Sequence, residues 1–151
     1  MHRKLLLLLV PLALIPVGWF AITMLPEAPY RSLDNEGLEQ MVRNGATVID
    51  IRRPEEWQQT GVVEGSHLIT AFDERGRMMP DFAARFGQLT DPNEPVVLIC
   101  RTGNRTSTLA RMLAEQANYQ EVYNVSRGIV SWIAAGKAVS PCSGPGPDLR
   151  C

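Results

Sequence analysis

Short apolar runs alternate with amphipathic stretches over most of the chain. Val96-Val97-Leu98-Ile99 is four branched apolar residues in a row, introduced by Pro95 and followed by polar residues and glycine. That pattern predicts a short strand buried on both faces. Ala46-Thr47-Val48-Ile49-Asp50-Ile51, rich in β-branched residues, predicts a second, Glu121–Val125 a third, and Ser66–Thr70 a weaker fourth. Helices are expected between them. The first covers Leu33–Asn44, with Ser32 as its cap, Asp34 and Glu36 in its first turn and Gly45 as its stop. Pro54 opens a short helix through Trp57 and Gln58 that Gly61 closes. Asp73–Arg77, with Gly76, reads as a charged loop. Pro80–Leu89 places Phe82, Phe86 and Leu89 on one side of a helix. Ser107–Ala117 predicts another helix, as does Gly128–Ala135, which ends at Gly136. Strands and helices in this alternation specify an α/β fold, a central and mainly parallel sheet flanked by helices.

The first residues follow a different pattern. Leu5–Leu25 carries no charge and follows a basic flank, His2-Arg3-Lys4. Twenty-one residues can cross the roughly 30 Å hydrocarbon core as a helix. Pro11 and Pro16 are tolerated in membrane segments, and Trp19 and Phe20 suit the far interface. A cleaved signal segment, cut after Thr23 or Ala28, is the alternative, although its apolar region is usually shorter. On either reading the domain is expected on the exported side, periplasmic or extracellular, tethered by the N-terminal segment or secreted after cleavage. The expected organisation is an anchor or signal over 1–25, a stiff linker over 26–31, one domain over 32–139 and a Pro/Gly-rich tail over 140–151.

Charge adds little beyond exclusion. Beyond position 31 there are 12 basic and 15 acidic residues, with no basic run, so nucleic acid is not an expected partner. The tail's composition predicts a disordered backbone, yet Cys142 and Cys151 bracket it. In an exported protein these two are expected to pair, leaving Cys100 as the free thiol.

Cys100 lies where the Val96–Ile99 strand runs out, and Arg101-Thr102-Gly103-Asn104-Arg105-Thr106 leads from it into a helix. The carboxyl ends of parallel strands are where α/β sheets bind ligands. Loop N–H groups and the positive end of the helix dipole there favour a thiolate. A buried structural cysteine is the bland reading, opposed by the polar run that follows. His67 is the one histidine outside the N-terminal flank, and nothing in the sequence brings it to Cys100, so a Cys–His pair has little support. The three cysteines lack the paired spacing of a zinc site, and no metal or cofactor is expected.

Four segments in order carry a family resemblance. Asp50-Ile51-Arg52-Arg53-Pro54-Glu55-Glu56-Trp57 resembles an Asp-x-Arg-x-x-x-Glu-aromatic motif, and Gly61 to Gly65 matches the Gly-x-x-x-Gly after it. Cys100–Thr106 resembles an active-site loop, and Tyr123-Asn124-Val125-Ser126-Arg127-Gly128-Ile129, with Trp132 and Gly136, a closing segment. Together they resemble the single-domain rhodanese family of thiosulfate sulfurtransferases, over about residues 32–139. The resemblance implies that Cys100 takes sulfur from a small anionic donor and passes it, as a persulfide, to a thiol or cyanide-like acceptor. Arg101, Thr102, Gly103, Asn104, Arg105 and Thr106 would cradle the persulfide, with Asp50 and Arg52 bracing the loop or shaping its mouth. Val62 stands where the family usually has histidine, and Arg127 replaces one of two paired glycines. One alternative is a membrane-tethered persulfide carrier or binding module. Another is a cysteine-dependent phosphatase or arsenate reductase, whose loop places arginine six positions after the cysteine; here that position is Thr106.

Overall fold

Five strands of the described residues form one sheet, every pair parallel, in the order Arg31–Leu33, Val122–Val125, Val96–Ile99, Thr47–Asp50, His67–Leu68. The computed structural model describes residues 27–146 and 149–151. The strands are β1 (Arg31–Leu33), β2 (Thr47–Asp50), β3 (His67–Leu68), β4 (Val96–Ile99) and β5 (Val122–Val125). The helices between them are α1 (Asn35–Arg43), α2 (Pro54–Thr60), α3 (Phe82–Leu89), α4 (Asn104–Gln116) and α5 (Gly128–Ala134). The expected α/β architecture with a parallel sheet is the one observed.

Side-chain alternation along the central strands divides the core in two. Ile49, Val96, Leu98, Cys100 and Val122 face Phe82 and Phe86 of α3 and Leu109, Ala110 and Leu113 of α4. Val48, Val97, Ile99, Tyr123 and Val125 face Leu38 of α1 and Ile129 and Trp132 of α5. All four residues of β4 are buried, because helices cover both faces. Burying each such side chain is worth about 1.5–3 kcal/mol. Cys100 continues the Val96–Leu98 face one step past the strand, so the sheet's own periodicity directs it toward α4.

Several boundaries differ from expectation. Residues 31–33, divided above between a linker and a helix start, form β1, which pairs with β5 in the register Arg31↔Tyr123 to Leu33↔Val125. Arg31 Nη1 also donates to the Tyr123 hydroxyl at 2.9 Å. The cap of α1 is therefore Asp34 rather than Ser32, its Oδ1 accepting the Gly37 N–H at 2.8 Å. The weak strand shrinks to His67–Leu68, and α4 starts three residues early, at Asn104.

Described residues of the tail, among 140–146 and 149–151, make contacts with the domain. Cys142 is buried against Trp57, Val62 and Leu68, giving the tail an apolar foothold. Val62 and Ser140 exchange backbone hydrogen bonds at 3.0 and 2.8 Å, and Leu68 N–H donates to the Leu149 carbonyl at 2.6 Å. Cys142 and Cys151 are disulfide-bonded, their Cα atoms 5.4 Å apart, and Cys100 is a free, buried thiol. The proposed membrane or signal segment, 1–25, lies outside the described residues. Among the described residues no helix is long and apolar enough to cross a membrane.

Candidate active site

The loop after β4 is held from two sides. On one side, α5 begins against it: Ile129 N–H donates to the Cys100 carbonyl at 2.9 Å and Val130 N–H to the Arg101 carbonyl at 3.2 Å. Two glycines allow this approach. Gly128 has φ +57°, and a Cβ there would fall 2.4 Å from the Arg101 carbonyl; Gly103 has φ +89°, and its Cβ would fall 2.1 Å from the Ser126 oxygen. Both need the left-handed region as well as the space. The first two carbonyls of the loop are thus engaged by α5.

Gly103 N–H donates to Cys100 Sγ at 3.2 Å, and Thr106 Oγ1 is 3.3 Å from the same sulfur. The Thr106 hydroxyl also donates to the Gly103 carbonyl at 3.0 Å, so its single proton has two candidate acceptors, the carbonyl and the sulfur. None of the hydrogen bonds among the described residues uses the N–H groups of Arg101, Thr102, Asn104, Arg105 or Thr106. The last three belong to the first turn of α4, where no helical carbonyl is available to them. These groups, with the dipole of a thirteen-residue helix, suit negative charge on or beside the sulfur. Cys100 is itself only 1% exposed. The bland reading had its burial right; the Gly103 N–H on the sulfur is what a purely structural cysteine does not need.

Arg105 is fixed by a residue the sequence did not assign to the site. Its Nη1 and Nη2 donate to Glu56 Oε2 and Oε1 at 2.8 and 2.6 Å, a two-pronged pair. Burial by itself would raise the Glu56 carboxyl. The bond from Arg105, the Arg53 N–H and the two positive charges outweigh it, and the carboxyl sits below its ordinary value. Arg105 is raised, first by that bond and against burial, with the charges of Glu56, Cys100 and Asp50 adding. Forty-nine positions separate the pair, so no spacing could have announced it. The only signal was the glutamate of the Asp-x-Arg-x-x-x-Glu segment.

Asp50 and Arg52 are brought together, but inside the fold. The Arg52 guanidinium holds the Asp50 carboxylate, with Nη2 to Oδ2 at 2.7 Å, and reaches the Gly61 carbonyl, the Thr60 hydroxyl and the Glu56 carbonyl. Both are buried, and neither lines the cleft beside the loop. That cleft measures about 380 Å³ and is lined by Arg53, Glu56, Phe72, Asp73, Glu74, Gly76, Arg101, Arg105 and Thr108. Arg101 is exposed there. Arg127 and His67 lie elsewhere: Arg127 is the exposed residue before α5, and His67 Nε2 meets Arg150 Nη2 at 2.9 Å.

The sequence profile of the rhodanese-like domain matches residues 34–135, from the α1 cap to the end of α5. The chain belongs to the rhodanese-like domain family. Among relatives of this rhodanese-like domain is the thiosulfate sulfurtransferase GlpE of Pseudomonas aeruginosa, 28% identical over 103 residues, covering 68% of this chain and 84% of the relative. A solved rhodanese-related protein from Thermoplasma volcanium is 26% identical with a TM-score of 0.58, covering 75% of this chain and 100% of that one. The polysulfide-sulfur transferase homodimer of Wolinella succinogenes is 19% identical with a TM-score of 0.60, covering 86% and 92%, and shows the shared fold. The rhodanese-like region carries the whole Cys100 loop and both of its supports, Glu56 and α5.

Proposed function

We propose that the protein is a sulfurtransferase whose Cys100 carries a sulfane sulfur between a small anionic donor such as thiosulfate and a thiophilic acceptor. The observation that carries this reading is Cys100 Sγ at the end of β4, accepting from the Gly103 N–H in a loop whose other N–H groups take no partner among the described residues. The Cys100 thiolate attacks the outer sulfur of thiosulfate, the sulfur–sulfur bond to the sulfonate breaks, and sulfite leaves with the electron pair. The persulfide anion that remains on Cys100 is stabilised by the loop N–H groups, the logic of an oxyanion hole applied to sulfur. An acceptor thiolate or cyanide then attacks the outer sulfur and returns the electron pair to Cys100.

The phosphatase alternative is less well supported. Its loop needs a guanidinium six positions after the cysteine, where Thr106 stands, and the guanidinium one position earlier is committed to Glu56. Cys100→Ser tests the reading directly. The variant should fold, since the swap is nearly isosteric, and should lose sulfur transfer almost completely, because a serine hydroxyl stays protonated and forms no stable persulfide. Wild type should gain one sulfur by intact mass after thiosulfate and lose it to cyanide, while hydrolysing p-nitrophenyl phosphate poorly. Turnover of thiosulfate by Cys100→Ser, or a wild-type preference for the phosphoester, would sink the assignment.

We also propose that the domain works on the exported side of a membrane, tethered through 5–25. The long uncharged run behind a basic flank motivates this, and the Cys142–Cys151 bond suits an oxidising compartment. Protease added outside sealed spheroplasts should digest the domain, and tail thiols in protein from its native compartment should resist alkylation. Protection of the domain, or two reactive tail thiols, would place it inside.

A further inference from the structure

Resting on the sulfurtransferase reading, we infer that the cleft lined by Arg101 and Arg105 of the Cys100 loop selects a small zwitterionic thiol as its sulfur acceptor, Arg101 binding the carboxylate and Glu74 the ammonium group. The charges lining the cleft balance: Arg53, Arg101 and Arg105 against Glu56, Asp73 and Glu74. Most of them are spoken for. Arg105 is clamped by Glu56, Arg53 pairs with Glu55, and Asp73 accepts from Arg77 Nε at 2.8 Å and from the Arg75 and Arg77 N–H groups at 2.9 Å. Among the described residues, Arg101 and Glu74 are the two lining charges that enter no ion pair or side-chain hydrogen bond.

They come from different segments. Arg101 follows the nucleophile, and Glu74 sits on the tight turn from Asp73 to Arg77. Both are exposed, and Phe72 and Thr108 supply further wall. A cleft built only for a dianionic donor would carry a surplus of positive charge, whereas this one offers one free charge of each sign. At about 380 Å³ it lies at the lower end of the range for small-molecule sites. That size suits an amino-acid-like thiol better than a bulky organic ligand.

The step balances without an external oxidant. The acceptor thiolate attacks the outer sulfur of the Cys100 persulfide, a new sulfur–sulfur bond forms, and the bond to Sγ breaks with its electron pair returning to Sγ. The proton lost by the acceptor thiol goes to the outer sulfur, and the product leaves as a hydropersulfide.

The test loads Cys100 from thiosulfate and measures transfer to cysteine, cysteamine and 3-mercaptopropionate, three thiols that carry both charges, the ammonium alone and the carboxylate alone. Each kcat/KM for a variant is divided by the wild-type value for the same thiol, which cancels the thiol's intrinsic reactivity. Glu74→Gln should lower the ratio for cysteamine and cysteine about three- to fivefold relative to 3-mercaptopropionate, the size expected for one rim charge. Arg101→Gln should do the reverse, sparing cysteamine. The charge reversal Glu74→Lys should widen the first difference and favour 3-mercaptopropionate, and added salt should shrink all of them. Ratios that fall equally for the three thiols, or do not move, would overturn the acceptor assignment while leaving sulfur transfer standing. Failure of wild-type Cys100 to gain sulfur at all would instead overturn the reading beneath it.

Discussion

Two arginines stand at the carboxyl end of the sheet, each gripping a carboxylate, and they serve opposite ends. Arg52 is 1% exposed and gives all five of its N–H groups to acceptors: the Asp50 carboxylate, the Glu56 and Gly61 carbonyls and the Thr60 hydroxyl. A side chain so consumed has nothing left for a ligand. It ties the end of β2 to both ends of α2 and to the glycine that closes it. Arg105 is 28% exposed and spends two N–H groups on Glu56, and among the described residues no other acceptor takes the rest. Glu56 joins the two, its backbone carbonyl serving Arg52 and its carboxylate serving Arg105. A guanidinium saturated in the interior is architecture; one whose charge Glu56 matches but which keeps further N–H groups at the rim of a cleft still has donors to offer a ligand.

The largest expected effect comes from breaking the interior pair. Arg52→Met would leave the Asp50 charge buried with, among the described residues, only the backbone N–H of position 52 at 3.1 Å as a donor. Removing one partner of a buried pair costs about 3–5 kcal/mol, a large part of a domain's stability. The melting temperature should fall by roughly 10 °C or more. Arg52→Lys should recover little, because an ammonium cannot reproduce the fork. Removing both charges in Asp50→Leu/Arg52→Met should cost less than Arg52→Met alone. A folded, stable Arg52→Met that had lost sulfur transfer would erase the distinction between the two arginines.

Arg105→Gln should show the opposite split. The Arg105–Glu56 pair is partly exposed, so stability should change by about 1 kcal/mol or less, while the thiosulfate KM rises about three- to tenfold. Two causes are separable here. The variant loses a positive charge near the sulfur and also uncovers the negative charge of Glu56. If attraction by Arg105 matters, Glu56→Gln/Arg105→Gln should remain impaired; if Arg105 only masks Glu56, the double variant should recover wild-type kinetics.

What the sequence revealed follows the same division between local and distant contacts. The parallel sheet, the Cys100 loop and the helices were legible because periodicity, a proline start and glycine stops are local signals. β1 was not, since Arg31-Ser32-Leu33 has no strand pattern of its own and takes its conformation from pairing with β5, some ninety positions away. The tail shows the same division: its proline and glycine content is a local signal, whereas the packing of Cys142 with Trp57 and Leu68 is a tertiary contact. At the site, Cys100 and its loop were legible, whereas Glu56 was visible only as a motif letter. Phe72, Asp73 and Glu74 reach the cleft through chain geometry that no spacing encodes.

The smallest effect separates the rim pair from the remaining carboxylates by pH. The Glu56 carboxyl lies below its ordinary value of 4.5 in the folded protein. A depressed carboxylate contributes stability that is fully present above the unfolded value and is lost as pH falls through the folded one. Arg105 is raised, so its own contribution is lost only under strongly alkaline conditions, leaving Glu56 to set the acid limb. Wild type and Arg105→Gln should therefore differ most above about pH 5 and converge as pH falls below the ordinary carboxylate range, by about 1 kcal/mol or less in total. Comparing the two proteins cancels the acid titration of Glu39 and Asp73, which are also depressed but keep their partners in both. In the variant Glu56 loses the arginine bond and charge, keeps its burial, and should titrate at higher pH than in wild type. Urea midpoints at pH 7, 5, 4 and 3 would measure the difference. A gap that stayed constant across that range would mean that Arg105 contributes through packing of its stem rather than through the Glu56 carboxylate.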